Sequence, residues 1–214
     1  MIRLGCLLIG YLFGCFQTSY LYCKKHGVDI RKEGSGNAGT NNTLRVMGWK
    51  AGAIVFIGDL MKMVAAILVT RLIFETEGGA NRTLLMVYTA LGVVLGHDFP
   101  FYLGFRGGKG IASSGGLALM LDWRIAIAAA VSFFGIGFLT KYVSVGSLSM
   151  MAVKFFLFII LSECGMMSVT GLSRWEAYAV LLFLLLLALW QHRANLSRLI
   201  HGKENKFHIG GRKQ

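Results

Sequence analysis

The stretch LGCLLIGYLFGCFQTSYLYC, residues 4–23, carries no charge between Arg3 and the pair Lys24-Lys25. A helix needs roughly 20 apolar residues to cross a ~30 Å hydrocarbon core, and this stretch has that length. A cleaved leader has a shorter apolar run and a cleavage site of small residues. Here the run continues past a faint lipoprotein-like Leu12-Phe13-Gly14-Cys15 to Cys23, so it reads as a membrane span. The rest of the chain agrees. Hydrophobic residues make up 55% of the 214 and charged residues 15%, where a soluble domain carries about 25% charged residues. With a mean hydropathy of +0.61, an ordinary soluble enzyme is excluded. The net charge of +12 must then lie on a basic aqueous face.

Six further stretches fit spans: 51–70, 83–96, 110–121, 125–140, 145–162 and 177–191. The fourth of the seven, 110–121, is short and rich in Gly and Ser. If the crossings alternate, fifteen of the 22 Lys and Arg fall on one side, five on the other, and Lys62 and Lys154 within spans. The richer side is cytoplasmic by the positive-inside rule. The expectation is an all-α integral membrane protein, residues 1–214 as one domain, with seven transmembrane helices, the N-terminus outside and the C-terminus cytoplasmic. Cys6, Cys15, Cys23 and Cys164 form no C-x-x-C pair and read as small buried hydrophobes rather than metal ligands. The basic segment 192–214 reads as a surface helix on anionic lipid. No nucleic-acid motif accompanies it.

The polar, glycine-rich segments cluster in the loops assigned to the cytoplasm. Gly34-Ser35-Gly36-Asn37-Ala38-Gly39-Thr40-Asn41-Asn42, followed by Arg45, can fold its amides into an anion nest. Its match to the dinucleotide fingerprint lacks a surrounding βαβ unit. Gly96-His97-Asp98-Phe99-Pro100 leads to Phe105-Arg106-Gly107-Gly108-Lys109-Gly110. The spacing of a nucleotide-binding phosphate loop fails there, yet Lys109 in a glycine cradle at a helix start suits an anion. Lys141-Tyr142-Val143-Ser144-Val145-Gly146-Ser147 says little alone, since serines near a helix start usually cap it. His192 and Asn195, three apart, share a helix face, as do Asp59 and Lys62. The second pair lies within a span, where ionisable groups must pair or face a polar interior. It reads as a structural ion pair steadying the site.

Together these segments resemble the bacterial membrane glycerol-3-phosphate acyltransferases that take acyl phosphate as donor. The resemblance covers nearly the whole chain. Gly34-Ser35-Gly36-Asn37-x-Gly39 with Asn42, Arg45 and Gly48 is similar to that family's first motif. Gly96-His97-x-Phe99-Pro100 through Gly107-Gly108-Lys109-Gly110 is similar to its second, and Ser144 and Ser147 fall in its third. Trp190-x-His192-Arg193-x-Asn195 with Arg198-Leu199 is similar to its C-terminal segment, and Asp59-x-x-Lys62 also recurs. The chain departs from the family's pattern at Thr40-Asn41, Arg106 and Ser113.

The resemblance implies transfer of a fatty acyl group from acyl phosphate to the 1-hydroxyl of glycerol 3-phosphate. The products would be lysophosphatidate and inorganic phosphate, with no cofactor and no metal, at the cytoplasmic side of the bacterial inner membrane. It implies that Ser35, Gly36, Asn37, Gly39 and Lys109 hold the acyl phosphate. Arg45, Lys109, Ser144, His192 and Asn195 would contact glycerol 3-phosphate. Ser35, Asn37, Arg45, Lys109 and His192 form the catalytic set, supported by His97, Asp59, Lys62 and Asn42. The partners are the two substrates and membrane lipid.

His97 and His192 are candidate bases by residue type, and a phosphate oxygen of the donor is a third. No Gly-x-Ser-x-Gly elbow occurs, and no His–Asp–Ser arrangement can be read from spacing, which favours assistance by the substrate. The competing reading is a membrane transporter for a phosphorylated solute. The lack of an internal repeat and the one-sided polar motifs speak against it.

Overall fold

A computed structural model describes residues 1–78 and 81–206. The described residues form helices and loops in the order α1 (Ile2–Cys15), α2 (Thr18–Lys25), α3 (Thr40–Met47), α4 (Trp49–Gly78) and α5 (Arg82–Asp98). A 3₁₀ turn (Phe101–Leu103) follows, then α6 (Ile111–Leu121), α7 (Trp123–Thr140), α8 (Val143–Glu163), α9 (Gly171–Gln191) and α10 (Arg193–Ile200). Six stretches are long and apolar enough to cross a membrane: Ile2–Lys25, Trp49–Phe74, Arg82–Leu103, Trp123–Thr140, Val143–Glu163 and Gly171–Gln191. The chain is therefore a multi-pass, all-helical membrane protein.

The stretch 110–121, the shortest of the expected spans, is α6, whose 11 residues rise only about 16 Å, less than a full crossing on their own. It shares its Asp122 end with the 18-residue α7 and is roughly 10 Å shorter than that helix. The first span was read as continuous, but it breaks at Phe16 and Gln17.

A break at that depth frees backbone carbonyls, which hydrocarbon cannot satisfy. Side chains from elsewhere satisfy them. Lys62 Nζ donates to the carbonyls of Phe16 (2.9 Å) and Gly14 (3.3 Å), and Tyr102 Oη–H to that of Cys15 (2.8 Å). Lys62 also pairs with Asp59 at 3.1 Å, and Thr18 donates to the same Asp59 oxygen. The ion pair foreseen between Asp59 and Lys62 thus acts as a clamp on the break, with the cation at the C-terminal end of α1 where the helix dipole favours it.

α1 and α5 make the most extensive helix–helix contact among the described residues. Gly10 and Gly14 of α1 face Gly92 and Gly96 of α5, two small-xxx-small patterns in register. A Cβ on Gly10 would stand 2.1 Å from the Thr89 carbonyl oxygen, and one on Gly92 would stand 2.2 Å from that of Leu7. Only glycine lets the backbones approach this closely. This pairing fixes α5, and hence the loop that follows it, against the broken span.

The apolar core joins α4, α5, α6, α7, α8 and α9, with Met63, Val87, Leu117, Ile125, Phe158 and Leu184 fully or almost fully buried. At the end opposite the site, Arg3 pairs with Glu176 at 2.6 Å, and Tyr88 donates to the same carboxylate. Cys6, Cys15 and Cys23 are buried as expected, but Cys164 is exposed, because it caps α8 in a surface turn. Of the basic tail, Arg193–Ile200 is an exposed helix, and 207–214 lie outside the described residues.

Candidate active site

The site is built where the ends of α5 and α9 meet the starts of α6 and α8. The loop from Asp98 to Gly110 is laid directly on the end of α5. Gly107 N–H donates to the Asp98 carbonyl and Gly108 N–H to that of His97, each at 3.0 Å. A Cβ at Gly107 would stand 2.0 Å from the His97 carbonyl oxygen, and one at Gly108 would stand 1.9 Å from His97 Nε2. Two consecutive glycines are thus a steric requirement, and they present Lys109 at a fixed place. Gly110 then caps α6 in the left-handed region, at φ +66°.

Lys109 donates through Nζ to Asn195 Oδ1. Asn195 Nδ2 donates to Glu204 Oε1 (2.6 Å), as does Ser144 Oγ (3.2 Å), and Arg198 Nε donates to Oε2 (2.8 Å). Burial, and then the nearby Arg198, push Lys109 down to about 8. His192 is buried and donates through Nδ1 to the Ala188 carbonyl at 2.8 Å. A carbonyl only accepts, so the ring's lone pair is on Nε2. Burial and the charge of Lys109 push His192 down to about 4, leaving it neutral at physiological pH. The arrangement offers a cation, amide and hydroxyl donors and a neutral imidazole acceptor in one place. That suits the joining of two anionic molecules through a hydroxyl and an activated carbonyl.

Of the sequence-selected residues, Lys109, Ser144, Asn195 and His192 gather here. His97 lies behind them, its Nδ1 accepting from Lys62 Nζ at 2.7 Å. Ser147 instead donates to the Val143 carbonyl of its own helix. The loop 34–42 adjoins through Asn37 Nδ2, which donates to the Gly107 carbonyl at 3.3 Å. The expected amide nest is corrected in part. Ser35 N–H donates to Asn42 Oδ1 (2.8 Å) and Gly36 N–H to the Glu33 carbonyl (2.9 Å), so neither faces outward. Asn42 is the buried clamp of that loop, donating also to the Glu33 carbonyl. The Ser35 side chain stays exposed, and Gly39 is buried against Asn37. Arg45 is exposed on α3 and bonds to none of the described residues.

Sequence reasoning missed Glu204, which receives three of these donors. The available signal was that Glu204 is the lone carboxylate of the segment 192–214.

Residues 4–202 match the family model described as glycerol-3-phosphate acyltransferase. The chain belongs to that family. It is 39% identical over 210 residues to the glycerol-3-phosphate acyltransferase of Clostridioides difficile (strain 630), covering 97% of this chain and 95% of the relative. It is 41% identical over 204 residues to that of Shouchella clausii (strain KSM-K16), covering 94% and 93%. Its fold is similar to the crystal structure of PlsY (YgiH), an integral membrane glycerol 3-phosphate acyltransferase, in the glycerol 3-phosphate form. The TM-score is 0.81, with 29% identity and 96% of each chain covered. The lysophosphatidic acid form of the same enzyme gives 0.79. Family membership makes the chain an acyltransferase, and none of these likenesses supports the transporter reading.

Proposed function

We propose that this acyltransferase moves a fatty acyl group from acyl phosphate to the 1-hydroxyl of glycerol 3-phosphate, releasing lysophosphatidate and inorganic phosphate. The observation that carries the reading is the single network joining Lys109, Asn195, Ser144 and Glu204 beside neutral His192. In this reading the side chains of Lys109, Ser35 and Asn37 hold the donor's phosphoryl group with the Gly39 amide, and Gly36, its own N–H spent on Glu33, shapes the turn that presents them. Arg45, Lys109, Ser144, His192 and Asn195 hold glycerol 3-phosphate, with exposed Arg45 free to turn onto its phosphate. Asp59, Lys62, His97 and Asn42 support the loops. Acyl phosphate is a mixed anhydride, so no acyl-enzyme is required. Alignment of the two substrates supplies about 7–11 kcal/mol, and a donor phosphate oxygen or His192 Nε2 takes the hydroxyl proton.

The site lies on the cytoplasmic face of the inner membrane in this reading, with the N-terminus outside and seven crossings. α6 supports that path. It starts beside Asp98 at the site, and Arg124, just past its far end, donates to Met166 on the connection beyond α8. Lipid surrounds the apolar faces of the long helices.

The test is phosphate release by purified protein with glycerol 3-phosphate and palmitoyl phosphate, beside palmitoyl-CoA. Release that requires glycerol 3-phosphate and the phosphate donor is the expected result. Turnover with the CoA donor, or none with either, rejects the proposal.

A pH dependence follows from Lys109. The ammonium, not the amine, attracts phosphate, so kcat/KM is full below about pH 8 and falls about tenfold per unit above it. Lys109→Arg keeps its charge at any accessible pH, so its profile should lose that limb. A limb that persists in the Arg variant assigns the ionisation elsewhere.

A further inference from the structure

We infer that Gln17 is a positioning residue for the acyl transfer, locking the break in the first span to the His97 carbonyl on which the Gly108–Lys109 loop rests. The inference builds on the reading of Lys109 given above.

Gln17 is fully buried in the break between α1 and α2. Its Nε2 lies 2.9 Å from the His97 carbonyl oxygen, 3.3 Å from that of Gly14 and 3.4 Å from that of Gly96. Three acceptors around one nitrogen fix the amide's orientation, since a flipped amide would set oxygen against oxygen. The cost falls on Oε1, which is buried with no hydrogen-bond partner among the described residues. A methionine or leucine of similar size would leave no such orphan. Stability alone is therefore a poor account of this side chain, and placement is what the amide contributes.

That placement reaches the site in two steps. The His97 carbonyl accepts both Gln17 Nε2 and Gly108 N–H. The loop has no slack over it, because Gly107 and Gly108 already touch His97 without side chains. Lys109 is the next residue. Lys62 grips the same joint from the other side, through the Gly14 and Phe16 carbonyls and His97 Nδ1. Gln17 and Lys62 together tie the broken span, the end of α5 and the Lys109 loop into one unit. Loss of the Gln17 amide releases two carbonyls of α5 and lets the loop drift, and a displacement near 1 Å at a reacting group costs up to about 10²-fold in rate.

The test is a double-mutant cycle on purified protein, with phosphate release as the readout and thermal unfolding recorded beside it. Gln17→Leu should lower kcat/KM for glycerol 3-phosphate about 10- to 100-fold. Beside Lys109→Ala it should cost less than about twofold, because the group it positions is gone. The inference is overturned by activity within twofold of wild type in Gln17→Leu, or by an equal loss in both backgrounds, which marks a structural role. Near-normal activity of Lys109→Ala alone overturns the site reading and this inference with it. Should the leucine variant not fold, Gln17→Met, which keeps the length and lacks the donor, enters the same cycle.

Discussion

Lys109→Ala is expected to reduce kcat/KM by about three orders of magnitude in the palmitoyl phosphate assay, with the protein still monodisperse. Loss of one preorganised donor to developing charge costs about 10²–10³. Lys109 also brings a full positive charge to a site that must hold two anions at once. Its position is set by backbone glycines rather than by its own side chain, so truncation removes the charge and leaves the loop standing. The Asn195 Oδ1 that it serves can turn to water at the partly exposed rim, which limits any structural damage. Activity within tenfold of wild type would remove Lys109 from the site.

The second large effect concerns folding. Gly92→Val should yield no folded protein, and Gly92→Ala should lower the unfolding temperature sharply. A Cβ at Gly92 meets the Leu7 carbonyl oxygen at 2.2 Å and the Tyr11 backbone nitrogen at 2.8 Å, so the obstacle is backbone on a rigid helix. The α1–α5 crossing must separate, and every neighbouring glycine contact opens with it. Overpacking of this kind costs about 1–3 kcal/mol when side chains can yield, and more when they cannot. Gly135 is the control, with open space where its Cβ would stand. Gly135→Ala should leave stability unchanged or raise it by up to about 1 kcal/mol. Equal unfolding temperatures for Gly92→Ala and Gly135→Ala would refute the close crossing.

The long spans were legible because hydropathy reports burial in lipid directly, and residues 145–162 and 177–191 fall inside α8 and α9. The motifs that gather at Lys109 were legible as residue types with a shared chemistry. The break at Gln17 was not, because no proline or charge marks it. What sustains it is a set of donors, from Gln17 itself and from Lys62 and Tyr102, distant in sequence. The Gly10-x-x-x-Gly14 and Gly92-x-x-x-Gly96 faces stood in plain view, yet their meaning depends on which helix meets which. The amide nest over 34–42 failed in part because Asn42 Oδ1 and the Glu33 carbonyl, both close in sequence, take the Ser35 and Gly36 N–H groups.

The shortness of α6 bears on how an amphiphile would reach this enzyme. Pulling a palmitoyl chain out of a bilayer costs on the order of 12 kcal/mol, at ~0.8 kcal/mol per methylene. A pocket standing at the height of the lipid headgroups would have to meet part of that penalty at each turnover. α6 is roughly 10 Å shorter than α7, and a site floor recessed by that shortfall would let the headgroup sink while the chain stays where it already is. Lateral diffusion then replaces extraction, and the bilayer itself holds the substrate at the reacting depth.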